Sequence, residues 1–206
     1  MKRFAIALAV TIIYLLSSDA AGLAQHKHRV TKSTAKQDSS YEHHAKTITD
    51  TTQTSPKGNT KAATSIKEIV ESYLQLKNAL VNDKTNGAAT AGTALETAFK
   101  KFDKKDLSPQ GKKAYEDIED DAREHAEHIG ANAGNIEHQR EHFDMLSKDM
   151  YDLVKTFGST QLLYKDFCPM YNDKKGAIWL SEKKEIKNPY YGKKMLTCGS
   201  VKEEIK

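Results

Sequence analysis

SIKEIVESYLQLKNALV, residues 65–81, carries the first of the patterns from which the fold of this chain is predicted. Its apolar residues recur at intervals of three and four, which is the period of one buried face of an α-helix. Ser65 followed by Glu68 is typical of a capping box, in which the serine caps the first turn and the glutamate reaches back to the backbone. The pattern therefore predicts an amphipathic helix that begins at Ser65.

Three further helices follow from the same period. The second covers AATAGTALETAFKKFD, residues 88–103, where Ala and Gly indicate close helix packing. The third has Ser108 as its N-cap and Pro109 at its first position, and the fourth begins at Asn135 and ends at Gly158. Short connections favour antiparallel neighbours, and no alternation typical of strands has comparable length. The sequence predicts an all-α fold, an up-down four-helix bundle.

The N-terminal residues 1–24 have the pattern of a secretory signal peptide. MKRF supplies positive charge before the apolar run AIALAVTIIYLL, and Gly22 and Ala24 are small residues ahead of a cleavage point at Gln25. The apolar run is shorter than the about 20 residues that a membrane span needs. We therefore expect a periplasmic protein with no transmembrane segment in the mature chain.

Residues 25–64 differ in composition from the rest of the chain. They are rich in Lys, Thr, Ser, Gln and His and nearly lack aliphatic residues, so we expect a disordered tail. Residues 65–206 have the size of one helical domain. The formal net charge of +4 comes from scattered lysines with no basic, aromatic-interleaved stripe, so nucleic acid is not an expected partner. Four tail histidines are weak candidates for loose metal capture: His26, His28, His43 and His44.

The C-terminal segment 166–200, DFCPMYNDKKGAIWLSEKKEIKNPYYGKKMLTCGS, holds both cysteines and the only tryptophan. Thiols and thioethers in CPM and MLTC are soft ligands, the type that selects Cu(I). A disulfide between Cys168 and Cys198 is the competing interpretation, and the spacing together with export favours it. Turn residues place the sulfurs on loops of an irregular segment that caps one end of the bundle. Trp179 is predicted to be buried there.

Four histidines lie beside the predicted turn between the third and fourth helices: His125, His128, His138 and His142. With the turn near Ala133, His128 and His138 lie at one height along the helices. His125 and His142 lie together at another height. Imidazole suits zinc, copper and nickel alike. The alternative is a solvated charged face, which the surrounding acids favour for His125 and His128, whereas for His142 both interpretations stay open.

Motifs of common enzyme classes are missing from the sequence. It contains no phosphate-binding glycine loop, no nucleophile elbow, no HExxH and no CxxC. The acidic residues lie on predicted solvated helix faces, which gives no reason to assign a general acid and base. We therefore expect a protein that is not an enzyme.

IEHQREHFDMLSKDMYDLVKTFG, followed by YKDFCPMYNDKKGAIWLSEKKEIKNPYYGKKMLTCGSVKEEI, resembles the bacterial family called domain of unknown function 3347. The resemblance runs from about residue 65 to 205 and is most specific in CPMYNDKKGAIWLS, NPYYG and MLTCG. Similar domains occur alone after a signal peptide, and also fused to periplasmic adaptor subunits of copper and silver efflux pumps. The resemblance implies a domain linked to copper handling. This chain lacks the hairpin, lipoyl and barrel regions of an adaptor, so we expect a metal-binding accessory protein.

The resemblance shifts the balance from a disulfide to a Cu(I) site. The implied ligands are Cys168, Met170, Met195 and Cys198, with His142 as an additional ligand. Heavy-metal efflux components or other envelope proteins would be the partners. The alternative function is a helical protein-interaction module in which a Cys168–Cys198 disulfide is purely structural.

Overall fold

The computed structural model describes residues 60–206, with side chains from residue 62 onward. The predicted signal peptide, and the predicted tail apart from its last five residues, lie outside this range. Five helices are α1 (Thr60–Ser65), α2 (Lys67–Val81), α3 (Thr85–Lys101), α4 (Pro109–Ala131) and α5 (Ile136–Phe157). Three strands follow: β1 (Leu163–Cys168), β2 (Ala177–Ser181) and β3 (Ser200–Ile205). Three single turns of helix lie at Lys104–Asp106, Tyr171–Lys174 and Gly192–Lys194.

The predicted start of α4 and both predicted ends of α5 are confirmed by their caps. Ser108 Oγ accepts the backbone N–H of Gly111 at 3.1 Å, and the proline follows at the first helical position. Asn135 Oδ1 accepts the N–H of His138 at 3.3 Å. Gly158 ends α5 in a left-handed conformation with φ of 81°, which glycine adopts without steric cost.

The start of the first long helix differs from the prediction. Ile66, not Ser65, occupies the N-cap position of α2, and no side chain caps it. The Ile66 N–H donates to Ala62 O at 3.2 Å, and Val70 N–H donates to Ile66 O at 3.0 Å. Helical hydrogen bonding therefore continues from α1, which begins at Thr60, into α2. The predicted capping box is wrong because helical residues precede Ser65 and already supply the first carbonyl acceptors.

Each long helix packs on the next one along the chain. Between α3 and α4 the backbones approach closely: a Cβ on Gly92 would lie 2.9 Å from Ala126 O. A Cβ on Gly130 would lie 2.7 Å from Thr93 Oγ1. The predicted close packing by small residues is confirmed. Helices α2 and α5 meet where the ring of Tyr73 stacks on the ring of Phe143, with centroids 5.3 Å apart.

An antiparallel sheet of order β2–β1–β3 completes the domain and packs on α5 through β2. The all-α prediction is therefore wrong for the C-terminal residues, although the described chain is mostly helical. The strands have only five or six residues, and β1 carries a register shift between Lys165 and Asp166 that breaks simple alternation. A short, bulged strand leaves too weak a period-2 signal to detect.

The core of the sheet packs against the helices. Trp179 on β2 has no solvent exposure, so its predicted burial is confirmed. Its ring contacts that of Tyr190 edge to face, with centroids 6.0 Å apart.

Within residues 60–206, none of the helices combines the length and apolar character that crossing a membrane requires.

Candidate functional sites

Cys168 and Cys198, the thiol pair, lie side by side at one end of the sheet. Phe167 on β1 pairs with Ser200 on β3, and this register brings the two flanking cysteines together. Their Sγ atoms are 3.5 Å apart, and both are free thiols. The sequence placed both sulfurs on loops, but Cys168 is the last residue of β1 and is fully buried. Only Cys198 lies in a loop, where it is partly exposed.

The environment of Cys198 favours its protonated form. Desolvation raises the pKa of Cys198, and the hydrogen bond and charge of Cys168 raise it further. Desolvation also raises the pKa of Tyr191, with an added contribution from both cysteines, so this phenol lies near the pair. A metal ion bound here would displace the thiol protons, because the thiolate is the ligand.

Met170 and Met195 lie close to the two cysteines in sequence and are exposed to solvent. Their exposed fractions are 42% and 38%, high for large apolar residues. The hydroxyl of Tyr191 donates to Met170 O at 2.9 Å, and the N–H of Cys198 donates to Met195 O at 3.0 Å. The structure therefore brings the four predicted sulfur ligands to the same end of the sheet.

The turn between β1 and β2 is an unusual left-handed one. Asn172, Asp173 and Lys174 have φ of 51°, 53° and 66°. Such conformations cost roughly 1–2 kcal/mol for each residue with a side chain. Gly176 closes the turn with φ of 83°, where a Cβ would overlap the ring of Phe167. This geometry explains the sequence YNDKKG and reverses the chain directly after Met170.

Arg140 on α5 and Asp83 after α2 anchor the sulfur-bearing loop, residues 182–199 between β2 and β3, which carries Met195 and Cys198. Arg140 Nε donates to Pro189 O at 2.8 Å, and Arg140 Nη2 donates to Asp83 Oδ1 at 2.7 Å. The N–H of Lys193 donates to Asp83 Oδ2 at 3.2 Å. Partial burial acts to raise the pKa of Asp83, but these hydrogen bonds outweigh it and lower the pKa. Sequence reasoning missed both residues, because neither lies in a motif.

Asn188 organises the same loop from inside. It is fully buried, and its Nδ2 donates to Cys198 O at 2.7 Å. Its Oδ1 accepts the N–H groups of Tyr190 and Tyr191 at 2.8 and 3.2 Å. The sequence NP was interpreted only as a turn signal. The side-chain amide in fact connects the aromatic pair to the backbone of the second cysteine.

His142, the fifth predicted ligand, does not lie beside the thiol pair. Arg140 on α5 faces the sulfur-bearing loop, and a residue two positions later points about 200° around the helix. The ring of His142 contacts three other imidazoles, those of His125, His128 and His138. The structure therefore places this predicted ligand with the other histidines on the α4–α5 hairpin and does not bring it to the thiol pair.

These four residues, the histidine cluster, contact one another across the α4–α5 hairpin. Nδ1 of His125 is 3.2 Å from Nδ1 of His142. The rings of His128 and His142 stack with centroids 4.4 Å apart and an interplanar angle of 3°. The rings of His138 and His142 are 4.6 Å apart. His142 is thus the centre of the cluster.

The cluster holds its central imidazole in the neutral form. Desolvation, then the neighbouring His128 and the other imidazoles, lower the pKa of His142 to about 4. Desolvation also lowers the pKa of His125. A neutral imidazole has a free nitrogen lone pair, which is what a metal ion needs.

Fold and side chains together define a mostly helical domain that gathers thiols at one place and imidazoles at another. A family model described as "Protein of unknown function (DUF3347)" matches residues 69–162. The match covers most of α2 and all of α3 to α5, and so includes the histidine cluster, but it ends before β1 and the thiol pair. No curated protein and no solved structure matches the chain.

Proposed function

We propose that this protein is an exported, non-enzymatic accessory protein of the cell envelope that binds Cu(I) through Cys168 and Cys198. The observation that carries the proposal is the 3.5 Å separation of the two Sγ atoms. Metal–thiolate bonds of about 2.3 Å, as for zinc, allow two sulfurs on one ion to be up to about 4.6 Å apart. The thiol pair therefore needs little movement to chelate an ion.

The two flanking methionines support a soft metal. Both methionines are exposed at the same end of the sheet as the thiol pair, and neutral sulfur donors add affinity for Cu(I) but little for harder ions. Both face solvent, so an ion bound there would be accessible for transfer to a partner protein. Heavy-metal efflux components of the envelope are the partners that we propose.

The helices act as the support for this site in our proposal. We propose that α2 to α5 form an up-down four-helix bundle whose end is capped by the sheet. Arg140 on α5 and Asp83 after α2 then connect two helices that are far apart in the sequence to the loop that carries Met195. Such fixed anchors preorganise ligands and reduce the ordering cost of binding.

A second candidate function rests on the same distance. Two thiols 3.5 Å apart are also close enough to oxidise with small side-chain shifts, and Cys168 is fully buried. In that case the chain would be a helical interaction module stapled by a structural disulfide. The two candidates differ in what the methionines do, because a disulfide assigns them no ligand role.

Cu(I) competition against a chromophoric chelator tests the proposal on the reduced, untagged full chain. We expect Cys168→Ser and Cys198→Ser each to lower affinity by at least about 100-fold, and Met170→Leu and Met195→Leu by about 10-fold. Met145→Leu is the matched control, since this methionine is 39% exposed but lies on α5. Unchanged Cu(I) affinity in the Cys168/Cys198 double variant would refute the proposal. A quantitative disulfide in protein isolated from the periplasm, with methionine variants that bind as the parent does, would favour the interaction module.

A further inference from the structure

The α4–α5 hairpin carries a group of ligands that the Cu(I) proposal does not use. We propose that His128, His138 and His142 bind a divalent transition-metal ion, in a second site separate from the thiol pair. His125 orients the central imidazole from the other side. Imidazole is a borderline ligand that suits Cu(II), Ni(II) and Zn(II), whereas the thiol pair suits Cu(I). This site does not depend on the function proposed above.

The nitrogen atoms are already close to binding distance. One ring nitrogen from each of the three histidines lies within 4.8 Å of the others. Zinc–nitrogen bonds of about 2.0–2.1 Å in a tetrahedral site separate the ligand nitrogens by about 3.3 Å. Each pair must therefore close by about 1.5 Å or less. The side chains of His128 and His138 are 45% and 33% exposed, so both have room to rotate, and the stacked ring of His128 must tilt.

The backbone beneath these side chains is fixed. His138 and His142 are four residues apart on α5 and share a face. Gln139, fully buried between them, donates through Nε2 to Ile129 O at 3.2 Å and to Thr85 O at 3.0 Å. One side chain thus ties the start of α5 to the end of α4 and to the start of α3. Metal binding needs only rotamer changes on a preformed hairpin.

His125 has a positioning role. Its Nδ1 lies 3.2 Å from Nδ1 of His142. When His142 Nδ1–H donates to His125 Nδ1, the lone pair of His142 Nε2 is free for the metal ion. Histidines that bind metal commonly use their second nitrogen in this way, and the partner fixes the tautomer and the ring orientation.

A carboxylate lies near the ring of each of the two outer ligands, His128 and His138. Glu124 Oε1 is 3.7 Å from Nε2 of His128, and Glu141 Oε2 is 3.6 Å from Nδ1 of His138. Each would accept the N–H of its imidazole after a small approach and leave the other ring nitrogen for the metal. Their charges also favour a cation here. Three protein ligands leave a fourth position open for water, which is typical of sites that exchange or activate a ligand.

Zn(II) and Cu(II) titration of the untagged full chain, with Cys168 and Cys198 replaced by Ser, tests the site. We expect one equivalent to bind in each case, Cu(II) more tightly than Zn(II), with nitrogen hyperfine structure in the electron paramagnetic resonance spectrum of Cu(II). His138→Gln and His142→Gln should each lower Zn(II) affinity by at least about 100-fold, and His125→Gln by about 10-fold. The matched control replaces the tail histidines with Gln: His26, His28, His43 and His44. This control variant should still bind one equivalent of Zn(II) and one of Cu(II).

A thermal readout separates loss of ligand from loss of fold. A ligand that binds only the folded chain raises its melting temperature, so excess Zn(II) should raise that of the parent and not that of His142→Gln. His128→Gln serves where His142→Gln does not fold, because the His128 side chain is largely exposed. The proposal is overturned if His128→Gln or His142→Gln binds Zn(II) as tightly as the parent, or if the tail control abolishes the equivalent. Because both cysteines are replaced in this protein, the result is independent of the thiol pair.

Discussion

The hydroxyl of Tyr73 on α2 accepts the backbone N–H of Leu180 on β2 at 3.1 Å, across 107 positions of sequence. The same hydroxyl lies 2.8 Å from Ser147 Oγ on α5. Strand β2 is at the edge of the sheet, so its outward N–H has no strand to pair with. One phenol therefore connects two helices to the sheet and satisfies a buried donor.

Replacing Tyr73 with Phe should destabilise the fold by about 1–3 kcal/mol, because the buried Leu180 N–H would lose its partner. Urea unfolding measures the change. Tyr164→Phe is the control: Tyr164 is half-buried, and its hydroxyl makes no hydrogen bond within residues 60–206. Equal effects of the two substitutions would show that the hydrogen bond of Tyr73 contributes nothing specific.

Gly192→Ala should be among the most damaging substitutions in the sulfur-bearing loop, at roughly 3 kcal/mol or more. Gly192 has φ of 53°, and a Cβ there would overlap Asp83 Oδ1 and lie 2.7 Å from Arg140 Nη2. Gly134→Ala is the matched control, with φ of 90° but nothing within 4 Å of the added atom. It should cost only about 1 kcal/mol of backbone strain. A similar loss for both variants in chemical denaturation would argue against crowding at Gly192.

Two glycines of α3 should respond in opposite directions to the same substitution. Gly92→Ala would force α3 and α4 apart, because the new Cβ meets the α4 backbone at 2.9 Å, and should cost about 1–3 kcal/mol. Gly87→Ala meets only side-chain carbons at 3.5 Å and should stabilise by about 0.5–1 kcal/mol. Melting temperatures test the pair, and stabilisation by both would contradict the close packing.

Asp149 should make stability depend on pH. Desolvation, then the charges of Asp121 and Asp152, raise the pKa of this carboxyl from 3.8 to about 6 in the folded chain. The folded state therefore holds the proton more tightly, and its stability falls as pH rises from about 4 to 6. Asp149→Asn should match the parent near pH 4 and exceed its stability by about 1–2 kcal/mol at pH 7.

Denaturation at several pH values measures this difference. Asp120→Asn is the control, because its side chain is 86% exposed on α4. Its curve should run parallel to that of the parent. An Asp149→Asn variant that gains nothing between pH 4 and 7 would show that the carboxyl of Asp149 is well solvated.

The helices were predictable because their signals are local. A cap such as Ser108 or Asn135 bonds to an N–H three residues away, so the sequence contains both partners. The paired heights of the histidines also follow from counting residues from the turn. The grouping of all four was not predicted, since counting along two helices gives heights but not which faces meet.

The sheet and the residues that anchor its loop could not be predicted, because their partners are distant in the sequence. Asp166 lies on β1 with no solvent exposure, where alternation alone would predict neither a buried acid nor a strand. Arg140 had no predicted role, yet it donates a hydrogen bond to a carbonyl 49 positions away. Distant partners of this kind leave no trace in a local pattern. The same limit applies to His142, whose rotation away from the thiol pair depends on how α5 docks.

The pairing of Phe167 with Ser200 makes the thiol pair depend on the contact between two strands. Cys198 is held beside Cys168 only when β3 is joined to β1. Until then the two sulfurs are separate reactive groups, open to exchange with thiols of other molecules. A chain shortened by its last six residues would retain every candidate ligand and lose the strand that brings the two cysteines together.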